Sequence, residues 1–109
     1  MTKIIVPSEI KVGGHIFRIV ANRNLDANGK RAEIDFKRLV ISLNTEKKYS
    51  IVQEGFIHEI LHAVNQIFLN AQIESEDIIE PMAEGIWQVL EQLSIEFDFV
   101  NITDETPRD

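Results

Sequence analysis

The sequence contains no cysteine among its 109 residues, so disulfide bonds and thiolate metal ligands are both excluded. It has no apolar run near the roughly 18 residues that cross a membrane, and residues 1–7 lack the apolar core of a secretory signal. We therefore expect a cytoplasmic protein with no membrane partner. Any metal ion that it binds must be held by histidine and carboxylate side chains.

Positive charge is scarce in the second half of the chain. Residues 49–109 contain one lysine or arginine and thirteen acids, whereas residues 1–48 contain ten basic and five acidic residues. An acidic surface repels a phosphate backbone, so we expect no nucleic-acid partner. The last residues, about 99–109, are expected to form an acidic tail.

Short β-rich segments followed by helical patterns predict one α+β domain over residues 1–109. The pair Gly13-Gly14 divides two β-rich runs, 9–12 and 15–20, and such a glycine pair predicts a hairpin turn. A second pair of strands is predicted over 31–36 and 39–43. The expected sheet is therefore antiparallel or mixed, with about four strands, and two helices follow it.

The first predicted helix spans about 50–70, with Ser50 as N-cap and Gln53 as its capping-box partner. It is apolar over most of its circumference, which predicts a central, buried helix. The second helix is expected to begin near Pro81, with Asp77 as N-cap and Glu80 at the third helical position. Its apolar stripe contains Ile79, Met82, Ile86, Val89, Leu90 and Leu93, and a different flank contains Glu80, Glu84, Trp87 and Glu91.

The polar window of the first helix contains the motif His58-Glu59-Ile60-Leu61-His62. Residues i and i+4 project from one helical face, so both imidazoles can reach one metal ion, and Gly55 is expected to leave room above it. Glu59 lies beside that face, where it can contact a metal-bound water without being a ligand. This pattern predicts a zinc ion with two histidine ligands, an open coordination position and a carboxylate base. The alternative is an amphipathic helix with two surface histidines.

A zinc site needs a third protein ligand, and no histidine follows His62. A carboxylate from the second helix is the natural candidate, which would complete a His, His, Glu ligand set. Glu80 is the first choice, and Glu84, one turn later, is the alternative. If Glu80 only caps its helix, the ligand would be Glu84 or an acid from residues 74–77.

Residues 56–65, Phe-Ile-His-Glu-Ile-Leu-His-Ala-Val-Asn, resemble the active-site helix of the minimal zincins of bacteria and bacteriophages, which are akin to ImmA/IrrE-type metallopeptidases. Residues 80–90, in which Ala83 follows Glu80 by three positions, look like the second signature of that family. The hairpin segment 10–17 is similar to the start of many phage members. The resemblance implies a zincin-like fold, in which an edge strand can align an extended peptide beside the first helix.

The same resemblance implies roles for individual residues. His58, His62 and Glu80 would be the zinc ligands, and Glu59 would be the base. ImmA/IrrE relatives commonly have asparagine where this chain has Glu84, so a second carboxylate lies near the expected metal and the assignment of Glu80 stays open.

The motif and the resemblance together predict a zinc metallopeptidase with a peptide or protein substrate. Zinc is expected to lower the pKa of its water, while Glu59 takes the proton and delivers it to the leaving amine. His15, Tyr49 and Arg38 are candidates to stabilise the oxyanion. Two alternatives remain: a zinc-binding interaction module without catalysis, and a zinc hydrolase with a non-peptide substrate.

Overall fold

In the computed structural model, which describes residues 1–107 apart from the side chains of 26–28, the elements follow the predicted α+β order. The strands before the helices are β1 (Thr2–Ile5), β2 (Glu9–Val12), β3 (His15–Ala21), β4 (Ala32–Asp35) and β5 (Val40–Leu43), with a 3₁₀ helix (Arg23–Asn28) between β3 and β4. The helices are α1 (Tyr49–Phe68) and α2 (Glu76–Gln92). Two further strands, β6 (Ile95–Asp98) and β7 (Thr103–Asp104), follow α2.

The main sheet is mixed and runs in the order β2-β3-β5-β4, with β7 paired to β3. The strands β2 and β3 form the expected hairpin around Gly13-Gly14, and β4 and β5 are also antiparallel, whereas β3 and β5 are parallel. Phe17 and Ile19 of β3 are buried and Arg18 between them is exposed, because successive strand residues face opposite sides of a sheet. This arrangement leaves β4 at one edge of the sheet.

Helix α1 lies between the main sheet and α2, as expected for a helix that is apolar around most of its circumference. Towards the sheet, Phe56 and Ala63 belong to a buried cluster that also contains Phe17, Ile19, Ile41 and Leu43. Away from the sheet, Ile57 packs with Ala83 and Trp87 of α2. The motif His58–His62 therefore occupies the middle layer of the fold, between two layers that can both contribute side chains to it.

Both predicted capping boxes are wrong. Helix α1 begins at Tyr49, one residue before Ser50, and Gln53 is buried with its side chain bonded to the backbone N and O of Phe97 at 2.7 and 2.6 Å. Helix α2 begins at Glu76, because the hydroxyl of Ser75 accepts a hydrogen bond from the N–H of Asp77 at 3.1 Å and two acids then occupy the positive end of the helix. Glu80 therefore lies in the second turn of α2, beyond its cap.

Helix α2 buries a face that is displaced from its predicted apolar stripe. Ile79, Ala83 and Trp87 are buried, whereas the side chains of Ile78, Met82, Ile86, Val89 and Leu93 are at least 38% exposed. Glu76 and Glu80 precede Ala83 by seven and three residues, so helical periodicity places them on the same face as Ala83 and Trp87. Glu76 and Glu80 are consequently turned towards α1. Of the helices in residues 1–107, none is long and apolar enough to cross a membrane.

The segment after α2 folds back onto the rest of the chain. Strand β6, which the sequence analysis did not predict, pairs in parallel with β1 in a separate two-stranded sheet. The side chain of Arg18 donates two hydrogen bonds to Glu105 at 2.5 and 3.1 Å, and Thr106 Oγ1 accepts from the backbone N–H of Arg23 at 3.0 Å. Much of the expected acidic tail, about 99–109, is thus part of the fold, while residues 108 and 109 lie outside the described residues.

The β2–β3 turn provides a test of the packing between the sheet and α1. Gly13 has a φ of +61°, and an added Cβ would lie 2.5 Å from Ile67 Cγ2. We expect Gly13→Ala to lower the free energy of unfolding by about 1–3 kcal/mol in a urea titration. Gly14→Ala is the matched control, because nothing lies within 4 Å of its added Cβ. Equal losses in the two variants would contradict this packing.

Candidate metal centre

His58 and His62 lie on the face of α1 that meets the start of α2, with their Nε2 atoms 3.0 Å apart. The i, i+4 spacing brings their ring centroids within 4.8 Å, as expected from the motif. His58 is 8% exposed, and burial lowers the pKa of its imidazole although the charges of Glu76 and Glu80 act in the opposite direction. At neutral pH the ring of His58 is therefore uncharged, which is the form that binds metal.

Glu76, the first residue of α2, faces both histidines. Its Oε1 lies 2.5 Å from His58 Nε2, and its Oε2 lies 3.1 Å from His62 Nε2. The ligands of a tetrahedral zinc ion lie about 3.3 Å from one another, given zinc–nitrogen distances of about 2.0–2.1 Å. The 3.0 Å between the two Nε2 atoms is close to that spacing. The residues present therefore fit a His, His, carboxylate site.

Glu80, the first choice for the third ligand, lies on the opposite side of the His58 ring. Its Oε2 is 3.0 Å from His58 Nδ1, and its Oε1 accepts a hydrogen bond from Arg31 at 2.6 Å. Burial raises the pKa of Glu80, but the hydrogen bond and the charge of Arg31 outweigh it, so the net shift is downward and the carboxylate is ionised at neutral pH. Glu84, the alternative, forms a group with Glu54 and Glu80 in which one carboxylate oxygen of each lies within 4.8 Å of the others.

Glu59 is only 7% exposed, and one of its carboxylate oxygens lies within 4.8 Å of a ring nitrogen of both His58 and His62. Burial raises the pKa of this side chain to about 7, and the negative charge of Glu76 adds to the shift. A carboxyl group with that pKa can both accept and release a proton near neutral pH. The structure thus places Glu59 beside the two histidines, in reach of a molecule bound between them.

Arg31 is the residue of the site that sequence reasoning missed. Its Nη2 lies 3.2 Å from His58 Nδ1, and its Nη1 lies 3.3 Å from a carboxylate oxygen of Glu54. Arg31 precedes the histidine by 27 positions, so no local spacing connects the two. The sequence contained one indication of this role for Arg31: it is the first residue of the strand predicted over 31–36. The first residue of an edge strand can face a helix that packs beside the sheet.

Gly55 lies on the side of α1 that faces Arg31 and Ala32. A Cβ at this position would lie 3.4 Å from Ala32 Cβ and 3.5 Å from Arg31 Cγ. The start of β4 therefore passes close to α1 at the glycine. The Cα of Gly55 therefore faces this strand, whereas the sequence analysis assigned the space beside the glycine to the region above the metal.

The side chain of Asn65 stabilises the turn between α1 and α2, which brings the start of α2 beside the histidines. Its side-chain amide donates to Ile73 O at 2.8 Å and accepts from Ile73 N at 3.0 Å. The preceding residues Asn70 and Ala71 have φ values of +49° and +57°, so the chain turns sharply after α1. Asn65 lies three residues after His62, and its bonds hold the start of α2 beside that histidine.

A cleft of about 520 Å³ opens over His58 and Glu59, and its walls include Lys30, Arg31, Ala32, Lys47, Ile51, Glu76 and Glu80. The three oxyanion candidates lie elsewhere. Tyr49 lines a separate cleft of about 660 Å³ and donates a hydrogen bond to Glu96, while His15 lines a third cleft. Arg38 is exposed in the β4–β5 turn, where its N–H is bonded to Asp35. Among the described residues, Arg31 and the two lysines are the cations that line the histidine cleft.

No protein-family model, no curated protein and no solved structure matches the chain, so comparison with known proteins does not assign a function to the site. The resemblance of residues 56–65 to the minimal zincins therefore stays a prediction. What can be said about function depends on the arrangement of the side chains themselves.

The buried Glu59 predicts how the stability of the metal-free protein depends on pH. Its pKa rises from 4.5 to about 7 on folding, so the folded state binds the proton more tightly and stability falls as pH rises through this range. In the presence of a chelator we expect Glu59→Gln to stabilise the protein at pH 8 by on the order of 2 kcal/mol more than at pH 4.5. Glu91→Gln, an exposed position on α2, is the control and should show no such difference. A pH-independent effect of Glu59→Gln in urea titrations would argue against a buried, titrating carboxyl group.

Proposed function

We propose that this protein is a zinc-dependent metallopeptidase with a zincin-like fold, acting in the cytoplasm on a peptide or protein substrate. The observation that carries the proposal is the approach of the two Nε2 atoms, 3.0 Å apart, with the Glu76 carboxylate against both of them. Uncharged imidazole nitrogens and a carboxylate oxygen are the ligands that zinc accepts in hydrolytic sites. We assign His58, His62 and Glu76 as the residues that would hold the ion.

This assignment changes the role expected for Glu80. Its Oε2 lies 3.0 Å from Nδ1 of His58 and would accept a hydrogen bond from Nδ1–H in the tautomer whose Nε2 lone pair is directed at the metal. Carboxylates in this position orient histidine ligands and increase their basicity. The competing assignment, with Glu80 as the third ligand, is the one that the sequence resemblance implies, and the variants described below distinguish the two.

A zinc ion in this site would polarise the scissile carbonyl and make a bound water acidic enough to lose a proton near neutral pH. Glu59 would accept that proton, since one of its carboxylate oxygens lies within 4.8 Å of a ring nitrogen of both histidines. The oxygen of the deprotonated water would bond to the carbonyl carbon, and the protonated Glu59 would then deliver its proton to the amide nitrogen as the C–N bond breaks. Burial excludes bulk water from Glu59 and strengthens its electrostatic interactions with the reacting groups.

The edge of the main sheet supports a peptide as the substrate. Strand β4 is an edge strand, and Ala32 at its start lines the histidine cleft. An extended peptide can pair with the free N–H and C=O groups of such an edge strand and become aligned by main-chain hydrogen bonds. This mode of binding would bring a peptide bond next to His58 and Glu59, and it favours peptide hydrolysis over a non-peptide substrate.

The ligand assignment predicts a ranked series of zinc affinities. We expect the protein to bind about one zinc ion per chain, and Glu76→Ala to weaken binding by more than about 100-fold, because it removes a ligand. Glu80→Ala is expected to weaken binding by about 10- to 100-fold, the range for a residue that orients a ligand. Glu84→Ala, which removes the alternative ligand, should weaken binding less than Glu80→Ala does, and Glu91→Ala, an exposed acid on the same helix, is the control that should have little effect. The dissociation constants can be measured by competition with a coloured chelator.

Two results would contradict this assignment. If Glu80→Ala weakens zinc binding more than Glu76→Ala, Glu80 is the third ligand. If the wild-type protein binds no zinc, or if His58→Ala and His62→Ala bind it as tightly as the wild type, the site is not a metal centre.

The proposed base predicts that zinc binding and catalysis can be separated. Glu59→Gln should keep zinc but lower the rate of peptide cleavage by about 10² to 10⁴, the usual cost of losing a general base. The assay follows cleavage of a broad peptide library by the wild type, Glu59→Gln, Glu84→Gln and a chelated sample. Cleavage at the wild-type rate by Glu59→Gln would exclude its role as base. A zinc-loaded wild-type protein that cleaves no peptide would instead favour the interaction-module alternative.

A further inference from the structure

We propose that Arg31 is a positioning residue of the metal centre, which holds the Glu80 carboxylate against Nδ1 of His58 and so sets the orientation of that ring. The inference rests on the proposed function, because it gives Arg31 a role towards the zinc ion. Arg31 belongs to no motif of the sequence. It directly precedes β4 of the main sheet, whereas the proposed ligands lie on the two helices.

The guanidinium of Arg31 joins all three layers of the fold at one point. Arg31 directly precedes β4, and its carbonyl accepts a hydrogen bond from Asn44 N at 2.9 Å, which ties its backbone to the sheet. Nη1 lies 3.3 Å from Glu54 of α1, and Nη2 lies 2.6 Å from Glu80 of α2. The planar group, anchored at both nitrogens, thus places Glu80 relative to the sheet and α1 together.

The guanidinium of Arg31 already forms ion pairs with carboxylates of the protein itself. Two carboxylates already contact its guanidinium, so it is poorly suited to bind an anionic group of a substrate. Its charge is needed there, because carboxylate oxygens of Glu54, Glu80 and Glu84 lie within 4.8 Å of one another. Without a cation these like charges repel, and Glu80 would move away from His58.

The position of Glu80 decides which face His58 presents to the metal. Nδ1 of His58 has two neighbours, Glu80 Oε2 at 3.0 Å and Arg31 Nη2 at 3.2 Å. A bond from Nδ1–H to Glu80 leaves Nε2 free to bind zinc, whereas a bond from Arg31 to an unprotonated Nδ1 would place the proton on Nε2 and block it. Arg31 Nη2 is within hydrogen-bond distance of both Nδ1 and Glu80. In the tautomer that binds zinc, Nδ1 carries the proton and can only donate, so the bond from Nη2 to Glu80 would hold the Glu80 carboxylate as its acceptor.

A double-mutant cycle on zinc affinity tests whether Arg31 acts through Glu80. The proteins are the wild type, Arg31→Met, Glu80→Ala and the double variant, with Arg18→Met as control for the loss of an arginine that pairs with a carboxylate on the exposed side of the sheet. We expect Arg31→Met to weaken zinc binding by about 10- to 100-fold in the wild-type background and by less than about threefold in the Glu80→Ala background. Arg18→Met should bind zinc as the wild type does.

A conservative variant keeps the test valid if Arg31→Met does not fold. Arg31→Lys retains a donor that can reach Glu80, so it should lose less affinity than Arg31→Met, and the cycle can be repeated with it. Equal losses from Arg31→Met in both backgrounds would overturn the inference, because the residue would then act independently of Glu80. So would wild-type affinity in Arg31→Met. A wild-type protein that binds no zinc would overturn the proposed function itself, which is a separate result.

Discussion

The site depends on one constraint, which is that two imidazole nitrogens face each other at 3.0 Å within a largely buried layer. Two lone pairs repel at that distance, and so do two N–H groups, so a proton or a metal ion must lie between the rings. Burial favours the uncharged form of His58, so without a metal ion one neutral ring can donate its N–H to the other, and the same uncharged form is the one that binds metal. A divalent ion satisfies both nitrogens at once, and the carboxylate of Glu76 beside them balances part of its charge.

The three-layer arrangement explains how so short a chain can build such a site. Helix α1 is packed on both sides, so its few polar side chains face the boundary with α2, where acids are available. Helix α2 directs Glu76 and Glu80 to opposite nitrogens of the His58 ring, and the sheet contributes Arg31 from the other direction. The residues of the candidate site thus come from all three layers: His58, His62 and the buried Glu59 from α1, Glu76 and Glu80 from α2, and Arg31 from the position that directly precedes β4.

The parts of the fold that sequence predicts are those that depend on local periodicity. The Gly13-Gly14 hairpin, the mixed sheet followed by two helices, and the adjacency of His58 and His62 all follow from spacings of a few residues. Features that depend on contacts between residues far apart in the sequence could not be predicted from such spacings. The rotation of α2, which buries Trp87 and turns Glu76 towards α1, depends on tertiary packing. Both helices begin before their predicted N-caps: the start of α1 has no side-chain cap, and Ser75 caps α2 in place of Asp77. Arg31 illustrates the same limit, since its partners lie on other elements.

The most direct measurement is a crystal structure of the zinc-loaded protein with anomalous data collected at the zinc absorption edge. We expect a single strong peak within about 2.0–2.2 Å of Nε2 of His58, Nε2 of His62 and a carboxylate oxygen of Glu76, with one coordination position open towards the cleft. Glu80 should accept a hydrogen bond from Nδ1 of His58 in the same structure. A peak among Glu54, Glu80 and Glu84, or no peak between the two histidines, would contradict the proposed metal centre.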